Sequence, residues 1–152
     1  MTPGQVSKRV IADRMAWVER MVGEIRALPL DDEEAFFGDG RNAWAAESCL
    51  RRALEALLDL GRHILAKGLG QGVSEYKEIA TRLREYEVLS DAEAALLLKM
   101  AGYRNRMVHF YHQISPRELY HICARDLGDV ERVLQAFKRW AREHSAQLDD
   151  TL

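Results

Sequence analysis

The chain has 152 residues, 22 Lys and Arg against 24 Asp and Glu, and a formal net charge of −2. That length suits one domain over residues 1–152 with a single core, and an apolar content of 47% excludes wholesale disorder. A pI near 6.2 excludes a protein held to nucleic acid by overall charge, so any anionic partner needs a local basic patch.

Two cysteines, Cys49 and Cys123, form neither a CxxC pair nor a disulfide framework, and read as buried free thiols. No apolar run approaches the ~20 residues of a membrane helix. Residues 1–9 lack the apolar stretch of a secretory signal, so the expected compartment is a reducing cytoplasm with no membrane contact.

Helical periodicity fills the chain, and alternating strand patterns bounded by turn residues are absent. A first helix is predicted over residues 7–27, with Val10, Met15, Trp17, Val18, Met21, Val22 and Ile25 on its apolar stripe and Pro29 stopping it. Asp31 caps a short turn through residues 35–37, which Gly38 and Gly40 end. A second long helix covers residues 42–67, where Leu50, Leu54, Leu57, Leu58, Gly61, Ile64 and Leu65 recur at the spacing of a buried face.

Three glycines in residues 68–72 break that helix. Ser74 is the expected cap of a shorter helix over residues 75–86. Ser90 and Glu93 make a capping box for a helix over residues 91–113. Ser115-Pro116 reads as a cap followed by proline in the first helical position, and this last helix is expected to run unbroken to residue 144. Residues 146–152 read as a frayed acidic tail. Four long helices with one or two short ones, joined by short connections, make an all-α antiparallel four- to five-helix bundle.

One segment stands apart, residues 100–112. On a helix, Met100, Tyr103, Met107, Phe110 and Ile114 share a core face, while Arg104, Asn105, His109 and His112 lie on another arc with Tyr111 at its edge. Asn105 and His109 are one turn apart and can interact. From residue 99 to residue 117 the chain holds Lys99, Arg104, Arg106 and Arg117 and no acid, a formal +4. Such a patch can hold a phosphodiester. A histidine there can move a proton near neutral pH, and an arginine can grip phosphate oxygens in pairs. An Arg/His-rich helix face is also commonly just solvated, and from these residues alone both readings stand.

Arg104-Asn105-Arg106-Met107-Val108-His109-Phe110-Tyr111 resembles the R-x4-H-x-Y motif of HepT-like toxins. These belong to the HEPN (higher eukaryotes and prokaryotes nucleotide-binding) ribonucleases. The lead-in Leu98-Lys99-Met100-Ala101-Gly102-Tyr103 and the earlier helix over residues 47–64 are similar to the family's as well. The likeness spans roughly residues 43–140 and implies a HEPN-type bundle.

It also implies a metal-independent endoribonuclease, the toxin of a toxin–antitoxin system, working on RNA as a homodimer with a composite cleft. Arg104 would bind the scissile phosphate, His109 would serve as general acid/base for attack by the ribose 2′-hydroxyl, and Asn105 would orient the site. Tyr111 would be the tyrosine that a minimal nucleotidyltransferase antitoxin modifies with AMP, blocking RNA by charge and bulk.

Lys99, Arg106 and His112 are candidate RNA or partner contacts, with plain exposure the other reading of Arg106. Asp59 and His63, four residues apart, are either a pair behind the cleft or an ordinary intrahelical pair. No grouping has metal-ligand spacing, and residues 68–72 lack the strand and the Lys-Ser/Thr of a phosphate-binding loop. No cofactor is implied. A rival reading is a non-catalytic module of the same fold that binds nucleotide or scaffolds the nucleotidyltransferase.

Overall fold

A computed structural model describes residues 5–109 and 114–148, with only the backbone of His109. Among the described residues the fold is all-α: α1 (Lys8–Arg26), α2 (Glu33–Phe37), α3 (Gly40–His63), α4 (Tyr76–Glu85), α5 (Asp91–His109), α6 (Pro116–Arg125) and α7 (Leu127–Glu143). α3 runs on into one π-helical turn, Ile64–Gly68, and a 3-10 turn, Ser145–Gln147, follows α7.

α3 is the central helix. Leu50, Leu54, Leu57, Leu58, Leu60, Ile64 and Leu65 are all buried, more than one apolar face can account for, because α1, α4, α5, α6 and α7 all contact it. α1 presents Ile11, Val18, Met21, Val22 and Ile25, and α7 presents Val130, Val133, Leu134, Phe137 and Trp140. Close approach is built in at Gly61. A Cβ there would sit 2.9 Å from Leu83 Cδ1 and 3.3 Å from Phe137 Cζ, so α4 and α7 pack where α3 has no side chain. At Gly68 a Cβ would lie 3.1 Å from both Trp140 and Val6.

The caps follow local chemistry closely. Ser90 and Glu93 form the expected reciprocal box, at 2.9 and 3.1 Å. Ser115 accepts from the Glu118 amide with Pro116 in the first turn. Two expected caps move by a residue. Asp32, not Asp31, caps α2, and α4 starts from Glu75, not Ser74, with no side-chain cap.

The last predicted helix is two. Asp126 leaves helical geometry at φ −106°, ψ 2°, where its carboxylate takes the Tyr103 hydroxyl at 3.3 Å and the Lys99 ammonium at 3.4 Å. Those are contacts to α5 that no local pattern announces. The segment expected to fray is held at its start: Val6 donates to the Gln147 carbonyl at 2.8 Å and bridges Leu148. Both cysteines are free. Cys49 is half-buried, and burial pushes the Cys123 thiol up to about 12. No helix among the described residues is long and apolar enough to cross a membrane.

Candidate active site

α5 is capped at its start, buries Ala94, Leu97, Met100 and Ala101, and then turns polar. Its helical spacing splits the polar residues between two flanks. Lys99, Tyr103 and Arg106 face α6 and α7, while Arg104 and Asn105 face α3 and α4.

On the first flank every cation meets a carboxylate. Arg106 binds both oxygens of Glu118 at 2.7 and 2.9 Å. Those hydrogen bonds raise the Arg106 pKa and lower that of Glu118. Lys99 reaches Asp126 at 3.4 Å and Asp129 at 4.0 Å, and lies 5.7 Å from the Tyr103 ring. Beyond α5, Arg117 pairs with Glu33 of α2 at 2.8 Å.

The acid-free segment therefore does not make a bare +4 surface. Glu33, Glu118, Asp126 and Asp129, all outside the segment, fold onto three of its cations. Lys99 and Arg106 thus sit in ion pairs on the flank of α5 opposite Arg104.

Arg104 is held differently. Its guanidinium carbon lies 4.6 Å from the centroid of the Tyr76 ring, a cation–π contact. Glu55 of α3 approaches its Nε at 3.7 Å, too long for a hydrogen bond, and Glu55 is shared with Arg51 at 3.3 Å. Arg104 Nη1 donates to Asn105 Oδ1 at 3.4 Å. Its Nε is buried and makes no hydrogen bond among the described residues. The side chain is only 19% exposed, yet it is the least satisfied of the four cations.

Tyr76 opens α4 and ties this corner together. Its hydroxyl donates to Asp59 at 3.2 Å, and Asp59 also pairs with Arg62, whose guanidinium lies 5.4 Å from the same ring. Burial raises the Tyr76 pKa, with Asp59 adding to the rise, so the phenol stays protonated as a donor. Beside this cluster opens a cavity of about 470 Å³ lined by Arg62, Ser74, Glu75, Tyr76, Lys77, Arg104 and Asn105.

Arg104 and Asn105 thus share one pocket wall, as the helical arc predicts. His109 closes the described part of α5, one turn past Asn105. Tyr111 and His112 lie outside the described residues. Asp59 stands behind Arg104 through Tyr76, whereas His63 accepts the Ser7 amide at 3.0 Å, where α1 begins.

Sequence reasoning missed Tyr76, Arg62 and Glu55. Arg51, Glu55, Asp59 and Arg62 recur every three or four residues as a polar stripe through the apolar second half of α3, and that stripe is the signal that could have found Arg62 and Glu55. Among the described residues no group of three or more His, Cys, Asp or Glu could hold a metal.

Compared with known proteins, residues 18–137 match the family described as ribonuclease HepT-like. A tRNA nuclease HepT of Aphanizomenon flos-aquae (strain 2012/KM1/D3) is 23% identical over 112 residues, covering 73% of this chain and 76% of that protein. Among solved structures, the tri-AMPylated HEPN toxin of Shewanella oneidensis, in complex with an MNT antitoxin, superposes with a TM-score of 0.77. It is 23% identical and covers 86% of this chain and 97% of its own. The cytosolic protein YutE of Bacillus subtilis, of unknown function, superposes with a TM-score of 0.75 at 17% identity, covering 92% and 94%. At these identities the two structures speak for the fold.

Proposed function

This chain belongs to the ribonuclease HepT-like family, and from that premise we propose that it is a metal-independent endoribonuclease, the toxin half of a toxin–antitoxin pair. The observation that supports this best is the state of Arg104. It is stacked on Tyr76, has Glu55 no nearer than 3.7 Å with no hydrogen bond to it, and stands at a pocket wall beside Asn105. An arginine so placed can exchange its weak contacts for the non-bridging oxygens of a scissile phosphate.

His109 removes the proton from the ribose 2′-hydroxyl, and the 2′ oxygen attacks the phosphorus. The 5′ oxygen leaves with a proton, so the products are a 2′,3′-cyclic phosphate and a 5′-hydroxyl. Asn105 holds the histidine or the phosphate in register. A homodimer sets two α5 helices across one cleft and doubles the set. The partner is a nucleotidyltransferase antitoxin of the kind bound to the Shewanella toxin. It adds AMP to Tyr111, which puts negative charge where the phosphate must sit.

The test is RNA cleavage by purified, unmodified protein with EDTA present. Wild type should release 2′,3′-cyclic phosphate ends, and His109→Ala should abolish cleavage while remaining a folded dimer by light scattering. Cleavage that survives His109→Ala, or that EDTA stops and zinc or magnesium restores, overturns the mechanism. Intact mass after incubation with the nucleotidyltransferase and ATP tests the modification: a gain that persists in Tyr111→Phe assigns it elsewhere.

A further inference from the structure

The pocket beside Arg104 is larger than one phosphate contact requires, and Arg104 supplies only part of its wall. Arg62 stands at the end of α3 with its guanidinium carbon 5.4 Å from the Tyr76 centroid, and Arg104 is 4.6 Å from the same centroid. One buried-edge tyrosine therefore fixes the position of two arginines. Tyr76 is itself fixed by the bond from its hydroxyl to Asp59. Lys77, the next residue of α4, lines the same cavity and makes no side-chain ion pair among the described residues. Among the described residues Glu75 is the only carboxylate on the lining, while Asp59, behind Tyr76, pairs with Arg62. Ser74 adds a hydroxyl.

A single phosphate held by Arg104 leaves Lys77 and the remaining donors of Arg62 unused. A polynucleotide, however, carries a phosphate at every step, and neighbouring phosphates need their own cations. We propose that Arg62, Tyr76 and Lys77 form, beside Arg104, a seat for the phosphodiester of the nucleotide adjoining the one cleaved. Lys77 supplies the charge, Arg62 offers the N–H donors that its pair with Asp59 leaves over, and Tyr76 positions Arg62 relative to Arg104. The seat gives no base readout, since both cations meet the backbone, so it selects a strand extending past the cut site over a dinucleotide. This rests on the ribonuclease reading of the same pocket, and the experiment separates the two.

Lys77→Gln is exposed and should leave folding intact. Arg82→Gln removes a cation from α4 outside this pocket, where Arg82 pairs with Glu78 and Glu85, and controls for overall charge. Binding of a non-cleavable 2′-deoxy pentanucleotide is measured by fluorescence polarisation across a salt series, and cleavage of an RNA pentanucleotide and a dinucleotide is timed in parallel. Lys77→Gln should weaken pentanucleotide binding about tenfold and reduce the salt slope by about one. It should lower kcat/KM for the pentanucleotide more than for the dinucleotide, with Arg82→Gln changing neither ratio.

Equal effects of Lys77→Gln and Arg82→Gln on binding, or equal penalties on both substrates, overturn the seat. A wild type that binds the pentanucleotide in a Lys77-dependent way but cuts no RNA removes the ribonuclease reading and leaves the seat standing.

Discussion

Arg104 and Arg106 are two residues apart on one helix, and the bundle gives them opposite surroundings. Arg106 faces α6 and closes a two-point pair with Glu118, at 2.7 and 2.9 Å. Arg104 faces α3 and α4, rests on an aromatic ring, and has its nearest carboxylate at 3.7 Å with a buried Nε left without a hydrogen bond. A saturated arginine contributes to packing and shape. An arginine whose donors are underused can transfer them to a ligand at little cost, because little must be broken first. Counting charges along the chain treats the two alike. The fold gives Arg106 a two-point carboxylate partner and leaves Arg104 with underused donors at a pocket wall.

Three substitutions put that contrast at risk. The largest effect is expected from Arg104→Lys. Lysine keeps the charge but loses the fork that grips two phosphate oxygens, so kcat/KM for RNA should fall about a hundredfold in initial-rate measurements. The thermal midpoint should barely move. Rescue by lysine would mean that Arg104 acts as a point charge only.

Arg106→Ala should behave in the opposite way, losing about 0.5–1 kcal/mol in denaturant unfolding and keeping cleavage within about threefold. The figure is low because both partners are about a third exposed, at 34% and 38%. The deficit should also depend on pH. Hydrogen bonds from Arg106 hold the Glu118 carboxyl below its ordinary range. Their contribution is therefore complete above the unfolded value near ~4.3 and is lost as pH falls through the lower folded value. Wild type and Arg106→Ala should converge in stability at the acid end. A gap that widened in acid would contradict the pairing.

Smallest of the three is Lys99→Gln. Its contacts to Asp126 and Asp129, at 3.4 and 4.0 Å, are long and half-exposed, so stability should change by only a few tenths of a kcal/mol, with cleavage unaltered. A marked loss of RNA binding instead would return Lys99 to the substrate surface.

What could be read from sequence was what is decided locally. The Ser90–Glu93 box and the Ser115-Pro116 start depend on residues three apart, and both stand where the pattern puts them. So does the break after α3, where Gly70 takes φ 67°. The split at Asp126 depends on Tyr103 and Lys99, more than twenty residues earlier, and left no trace in periodicity. The site divides in the same way. Arg104 and Asn105 share a face because a helix makes them neighbours. Tyr76 reaches Arg104 only because α4 packs against α5, and Asp59 reaches Tyr76 across α3 and α4. Four residues apart on α3, Asp59 takes Tyr76 and Arg62 while His63 receives the backbone of Ser7, contacts that spacing along the chain does not announce.

The most direct test of the contrast is single-turnover cleavage of one RNA by Arg104→Ala and Arg106→Ala, measured side by side on unmodified protein in EDTA. The expected loss is about a hundredfold or more in Arg104→Ala and less than about threefold in Arg106→Ala. Equal losses, or a larger loss in Arg106→Ala, would contradict it.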